Sequence, residues 1–74
     1  MAFDYRKLHG KIVEVCGTKK EFAERLGITR TALSNKLKCR SHFTQDEIIK
    51  ACDILGISDG EAFDYFFIRR VNEE

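Results

Sequence analysis

Proline is missing altogether from this chain of 74 residues. No position is therefore obliged to break a helix through a lost N–H or a ring clash. With 43% hydrophobic residues recurring at helical spacing, the expectation is a compact helical bundle and not disorder. Cysteine is sparse and poorly placed for chemistry. Cys16, Cys39 and Cys52 are odd in number and form no C-x-x-C pair, which fits reduced thiols without bridges. Cys39-x-x-His42 is half a zinc pattern with no second pair to complete it, so no metal is expected, and Cys52 falls on an apolar stripe that reads as core. His9 is isolated and reads as helix surface. Long apolar runs are missing too: nothing approaches the roughly 20 residues of a membrane span. The opening MAFDYRKLHG is too polar for a signal peptide, so a cytoplasmic protein is expected. No nucleophile–base pair, metal cluster or phosphate-cradling glycine loop is present, which argues against an enzyme, a cofactor or a small-molecule substrate.

Length sets the next bound. A chain of this size makes one domain, residues 1–74, and buries only about 60% of its unfolded surface, so its core is small. The net charge of +1 conceals a strong asymmetry. Residues 1–40 hold ten Lys and Arg against four Asp and Glu, a surplus of +6; residues 41–74 hold three against eight, a deficit of −5. Scattered lysines on a solvated face account for the total, but not for the removal of acids from one half. A basic half of this kind suits a polyanionic partner.

That basic half contains the segment TKKEFAERLGITRTALSNKLK, Thr18 to Lys38. Thr18 with Glu21 reads as a capping box that opens a helix. Phe22, Ala23 and Leu26 form its apolar stripe, and Gly27 stands where a helix ends in positive φ. Ile28 plugs the core beneath the turn, and Thr29 caps a second helix from Arg30 to about Lys38. At about 100° per residue, Leu33 and Leu37 point inward while Thr31, Ser34, Asn35 and Lys38 share the opposite face, with Arg30 at its N-terminal edge. Hydroxyls, an amide and cations suit base edges and phosphates: Arg grips guanine by two hydrogen bonds, Asn does so with adenine, and Ser or Thr meets either a base or a phosphate. Ala23 belongs at the crossing of the two helices, where only a methyl group fits.

In these residues the chain resembles the phage Cro and lambda-repressor-like helix-turn-helix regulators, through Phe22-Ala23, Leu26-Gly27-Ile28, Thr29-Arg30-Thr31 and Leu33-Ser34-Asn35-Lys36-Leu37. The resemblance extends over most of the chain. It implies an all-α, compact five-helix domain whose third helix enters the major groove, with Thr29, Arg30, Thr31, Ser34, Asn35 and Lys38 at the reading positions. Lys19, Lys20 and Arg40 lie around that helix as candidate phosphate contacts. Many relatives carry an apolar residue where Lys36 stands; here Leu37 takes that role.

Around this unit, helix one is expected from about Asp4 to Val15 on a stripe of Tyr5, Leu8, Ile12 and Val15, ending at Gly17. Thr44 with Glu47 opens a fourth helix closed by Gly56, and Ser58 with Glu61 opens the last, with Phe43 and Ile57 as hydrophobic staples. In EAFDYFFIRRV, Phe63, Phe66 and Phe67 are expected to complete the core, with Tyr65 and Ile68 on the other side. From Phe67 the run also has the option of turning extended, and Tyr65, Phe67, Ile68 and Val71 are the expected contacts of a homodimer. The function expected from all this is sequence-specific binding of double-stranded operator DNA by a phage or prophage repressor-type regulator in the bacterial cytoplasm, associated with the nucleoid. The alternative is a protein-interaction module on the same fold, acting as an antirepressor or a modulator of another regulator.

Overall fold

Three helices begin on a threonine. Thr18, Thr29 and Thr44 are extended, and each hydroxyl oxygen accepts the backbone N–H three residues on, from Glu21, Ala32 and Glu47, at 3.0–3.1 Å. The computed structural model describes residues 3–70, and in it these caps open α2 (Lys19–Leu26), α3 (Arg30–Leu37) and α4 (Gln45–Leu55). Helix α1 (Arg6–Cys16) precedes them, and a 3-10 turn (Asp59–Glu61) leads into α5 (Ala62–Phe66). The protein is all-helical, as expected.

The caps differ in detail. At Thr44 the box is reciprocal, since the Glu47 carboxylate accepts the Thr44 N–H at 2.9 Å. At Thr18 only half of it forms, because Glu21 turns its carboxylate to Arg25, one turn on, at 2.9 Å. Glu61 accepts both the N–H and the hydroxyl of Ser58, but the turn it closes is 3-10, so α5 starts later than the sequence pattern implies. Helix α1 also starts late. Asp4 donates its N–H to the Ile68 carbonyl at 2.7 Å in an extended pairing, and its carboxylate accepts the Arg6 N–H at 3.0 Å.

Leu8 and Ile12 from α1, Phe22, Ala23 and Leu26 from α2, Leu33 from α3 and Ala51, Cys52 and Leu55 from α4 build the core, closed by Ile57, Tyr65 and Phe66. Val15 is exposed and contributes little. Helix α2 is central, packing on α1, α3 and α4. Its Ala23 is 1% exposed, and the Ala23 carbonyl accepts the N–H groups of both Gly27 and Ile28. Gly27 turns the chain there at φ +86°, a conformation that disfavours a side chain.

The C-terminal segment departs from expectation. Because α5 ends at Phe66, the face pattern of a longer helix does not apply: Tyr65 and Phe66 are both buried, while Phe63, Phe67 and Ile68 are exposed. Tyr65 therefore packs inside the subunit, with the Lys7 ammonium 4.8 Å from its ring centre, and is withdrawn as a dimer contact. The chain does become extended after Phe67, but its pairing partner is its own N-terminal segment, through an antiparallel bridge between Phe3 and Arg69. Val71, the remaining expected dimer contact, lies outside the described residues. Aromatic rings connect core to surface in one series, Phe66, Phe43, Tyr5, Phe3, Phe67 and Phe63, with neighbouring centroids 5.4–6.4 Å apart.

The closeness of packing at Ala23 is open to test. Ala23→Leu should destabilise the fold by about 1–3 kcal/mol through overpacking. Thermal denaturation measures it, and an unchanged midpoint would mean that α2 does not need a methyl group at this position.

Candidate nucleic-acid interface

The outer side of α3 is polar along its whole length. Arg30, Thr31 and Lys38 are exposed, Ser34 and Asn35 half-buried, and Leu33 is fully buried beneath them. Thr29 stands at the N-terminus, where its oxygen caps Ala32 at 3.0 Å; its hydroxyl hydrogen remains available for an acceptor beyond the helix. Lys36 is not part of this face. Its side chain is only 12% exposed, and its ammonium donates to the His42 carbonyl at 2.8 Å and meets the Glu47 carboxylate at 3.1 Å. The group bearing the helix's most central positive charge thus faces α4, not solvent.

Lys19 and Lys20, on the first turn of α2, stand on the same side as the start of α3. With Thr18, Arg30 and Ser34 they line an open groove of about 410 Å³. A second hollow, of about 210 Å³, continues from Lys19 to the far end of α3, where Leu37 and Lys38 meet Tyr5, Arg6, His9 and Arg70. Among the described residues no carboxylate lines either one. Of the residues expected at the site, Lys19, Lys20, Arg30, Ser34 and Lys38 are therefore brought together around continuous concave surface. Thr31, Asn35 and Arg40 line neither hollow; Arg40 is exposed just past α3, its N–H bonded to the Asn35 carbonyl at 2.8 Å.

Arg6, His9 and Arg70 were not expected here. Arg70 lies in the acidic half of the sequence, and the pairing of the two terminal segments, through the Phe3–Arg69 bridge and the Asp4 N–H on the Ile68 carbonyl, carries it to the basic side. Nothing in local spacing signals that return. The end of α3 is also fixed from this direction. Cys39 adopts φ +64°, unusual for a residue with a side chain, and its thiol accepts from the Phe3 N–H at 3.3 Å and donates to the Phe3 carbonyl at 3.5 Å. Among the described residues no group of three His, Cys, Asp or Glu side chains is gathered for a metal, and no helix is long and apolar enough to cross a membrane.

A small all-helical protein with a cationic surface along its third helix is the class these features define. The chain belongs to the family described as "Protein of unknown function (DUF739)", whose model matches residues 1–69. It is similar to a solution structure of the modulator of repression of the temperate bacteriophage TP901-1 from Lactococcus lactis, at 38% identity over 97% of each chain with a TM-score of 0.80. No curated protein matches. The neighbour's description fits the phage regulatory setting that the sequence resemblance implied, at the level of a regulator.

Carboxylates at the helix starts make stability depend on pH. Burial pushes the Glu47 carboxyl up, but the Thr44 N–H and the Lys36 ammonium outweigh it and hold the group below its ordinary 4.5. Asp4 is lowered from 3.8 to about 2, first by its side-chain bond to Arg6 and then by the Arg6 N–H. Ser58 holds Glu61 low, chiefly through its N–H. Groups depressed in the folded state stabilise fully above their unfolded values and lose that contribution as pH falls through the folded ones. The melting temperature should accordingly fall between about pH 5 and 2. Glu47→Gln should be less stable at pH 7 and less sensitive across that window, whereas an acid profile identical to that of the parent would remove the Lys36–Glu47 pair from the account.

Proposed function

We propose that this protein is a phage-type regulator that modulates repression by binding double-stranded operator DNA, with the outer face of α3 in the major groove. The observation that carries this reading is the cationic surface that follows α3 from Arg30 to Lys38, with no carboxylate among the described residues of its lining. Backbone phosphates reward such a surface with affinity and register. Sequence choice falls to the groups that stand between the cations. Arg30 and Asn35 have the geometry for bidentate contacts to guanine and adenine, Thr31 and Ser34 donate or accept single bonds, and Thr29, Lys19, Lys20, Lys38 and Arg40 meet phosphates. Such a regulator works in the cytoplasm, where the nucleoid is.

A homodimer completes the proposal. Phe63 and Phe67 are stacked at 5.9 Å and are 60% and 42% exposed, and Ile68 beside them is 38% exposed. This is more apolar surface than a subunit of this size gains from leaving in water. Joined there by a two-fold axis, two subunits would present their reading helices to half-sites about 34 Å apart on a symmetric operator.

A second reading has its own support: the similar phage protein is described as a modulator of repression, which is compatible with acting on another regulator through protein contacts. Salt separates the two. DNA binding through several cations weakens steeply as salt rises, and absence of duplex binding even at low salt would favour the protein-binding module. On DNA, Arg30→Ala or Asn35→Ala should cost about 1–3 kcal/mol on the preferred sequence and relax preference at one base pair. Equal losses on all sequences would remove that residue from base reading. In sedimentation at micromolar concentration the parent should be a dimer and Phe63→Asp shifted towards monomer; a parent that stays monomeric both alone and on operator DNA would sink the dimer.

A further inference from the structure

The hollow at the far end of α3 is built from parts of the chain that are remote in sequence. Lys19 comes from α2, Lys38 from the end of α3, Arg6 and His9 from α1, and Arg70 from the C-terminal segment. Tyr5 and Leu37, both half-buried, form its floor. Two contacts hold the assembly in place: the Cys39 thiol on the Phe3 backbone fixes the end of α3 to the N-terminal segment, and the Phe3–Arg69 bridge fixes that segment to the one bearing Arg70. Arg6 is already matched by Asp4 at 2.7 Å, and Asp4 lines a different hollow with Lys7 and Asp64. Lys19, Lys38 and Arg70 make no ion pair among the described residues.

We propose that this hollow is a second backbone-binding site, in which Arg70 and Lys38 hold phosphates of the DNA strand whose neighbouring phosphates meet Lys19, Lys20 and Arg30. The proposal rests on the DNA-binding reading and adds to it a site made by the C-terminal segment. The chemistry fits a phosphodiester chain: cations at the rim for the phosphates, the His9 ring as an added donor, and an aromatic and an aliphatic floor for the sugar. The lengths also agree. Eight residues of α3 rise about 12 Å, on the order of three nucleotide steps along one strand. Lys19, shared by both hollows, joins the two ends of that track. A non-specific strand contact at the C-terminal end of the reading helix limits how far the helix can slide or tilt in the groove.

The test is a salt titration of binding to a duplex selected from a random library and to an unrelated duplex, for the parent, Arg70→Gln, Lys38→Gln and, as a control outside both hollows, Lys50→Gln. Arg70 is exposed, so unchanged melting of Arg70→Gln certifies the fold. Arg70→Gln and Lys38→Gln should each reduce the slope of log affinity against log salt by about 0.9 and weaken both duplexes by the same factor. Lys50→Gln should leave the slope unchanged. Steep parental binding with an unaltered slope in Arg70→Gln would overturn the second site and leave reading by α3 standing. Failure of the parent to bind any duplex at 50 mM salt would bring down both, and weakened capture of an acidic protein by Arg70→Gln in that case would assign the hollow to a protein surface.

Discussion

The rotation of α3 about its own axis is set by one ammonium group. Lys36 lies on the His42 carbonyl and the Glu47 carboxylate, and Glu47 at the same time caps the start of α4 through Thr44. A lysine held this way cannot face a ligand. At about 100° per residue, Lys38 then stands some 160° around the helix from Lys36, and Ser34, Thr31 and Asn35 fall in the same outward arc. The buried Leu33 side chain agrees with that rotation from the core side. Every statement about which groups α3 offers to a partner depends on this clamp, because a turn of even one residue's angle would bring Ala32 outward and carry Ser34 towards the core.

The clamp also explains why a departure from the phage-repressor pattern is tolerated. An apolar residue at position 36 would pack against α4; Lys36 reaches the same neighbour with its ammonium over the Phe43 ring, 5.9 Å from its centre, and on two oxygens. Leu37 supplies the missing apolar contact as a half-buried side chain beside the core. The sequence carries the two halves of this exchange in adjacent positions. What it does not carry is the partner, since Glu47 reads locally as a helix cap and nothing more.

That distinction, between pairs close in sequence and pairs closed by the fold, separates what was legible from what was not. Caps at Thr18, Thr29 and Thr44, the turn glycines Gly27 and Gly56, and the inward Leu33 are all decided within one or two helical turns, and each stands where the spacing put it. The misplacements belong to residues whose surroundings come from the other end of the chain. Tyr65 is buried because α1 brings Lys7 over its ring, and α1 starts at Arg6 because Asp4 is occupied by Ile68. Arg70 joins the basic surface through Phe3, across nearly the whole length of the sequence. Helix periodicity carries no information about such closures.

The closure of the termini changes the meaning of the charge asymmetry. Divided by sequence, the chain is a +6 half and a −5 half; divided by the fold, the C-terminal arginine segment leaves the acidic part and lies beside Lys38. What remains around α4 and α5 is acidic, with Asp46, Asp53, Asp59 and Asp64 exposed, offset by Lys50 on α4 and by Lys7 of α1, which meets Asp64 at 4.0 Å. Under the proposed function, a duplex would be repelled by such a surface and attracted by the opposite one, so that long-range electrostatics would orient the molecule before any hydrogen bond formed. On the proposed binding to DNA the acidic side would be turned outward, and the exposed Phe63, Phe67 and Ile68, where the proposed homodimer joins, would be left to the second subunit while α3 is engaged. The proposed DNA contact and the proposed dimer contact thus fall on two different faces of the molecule.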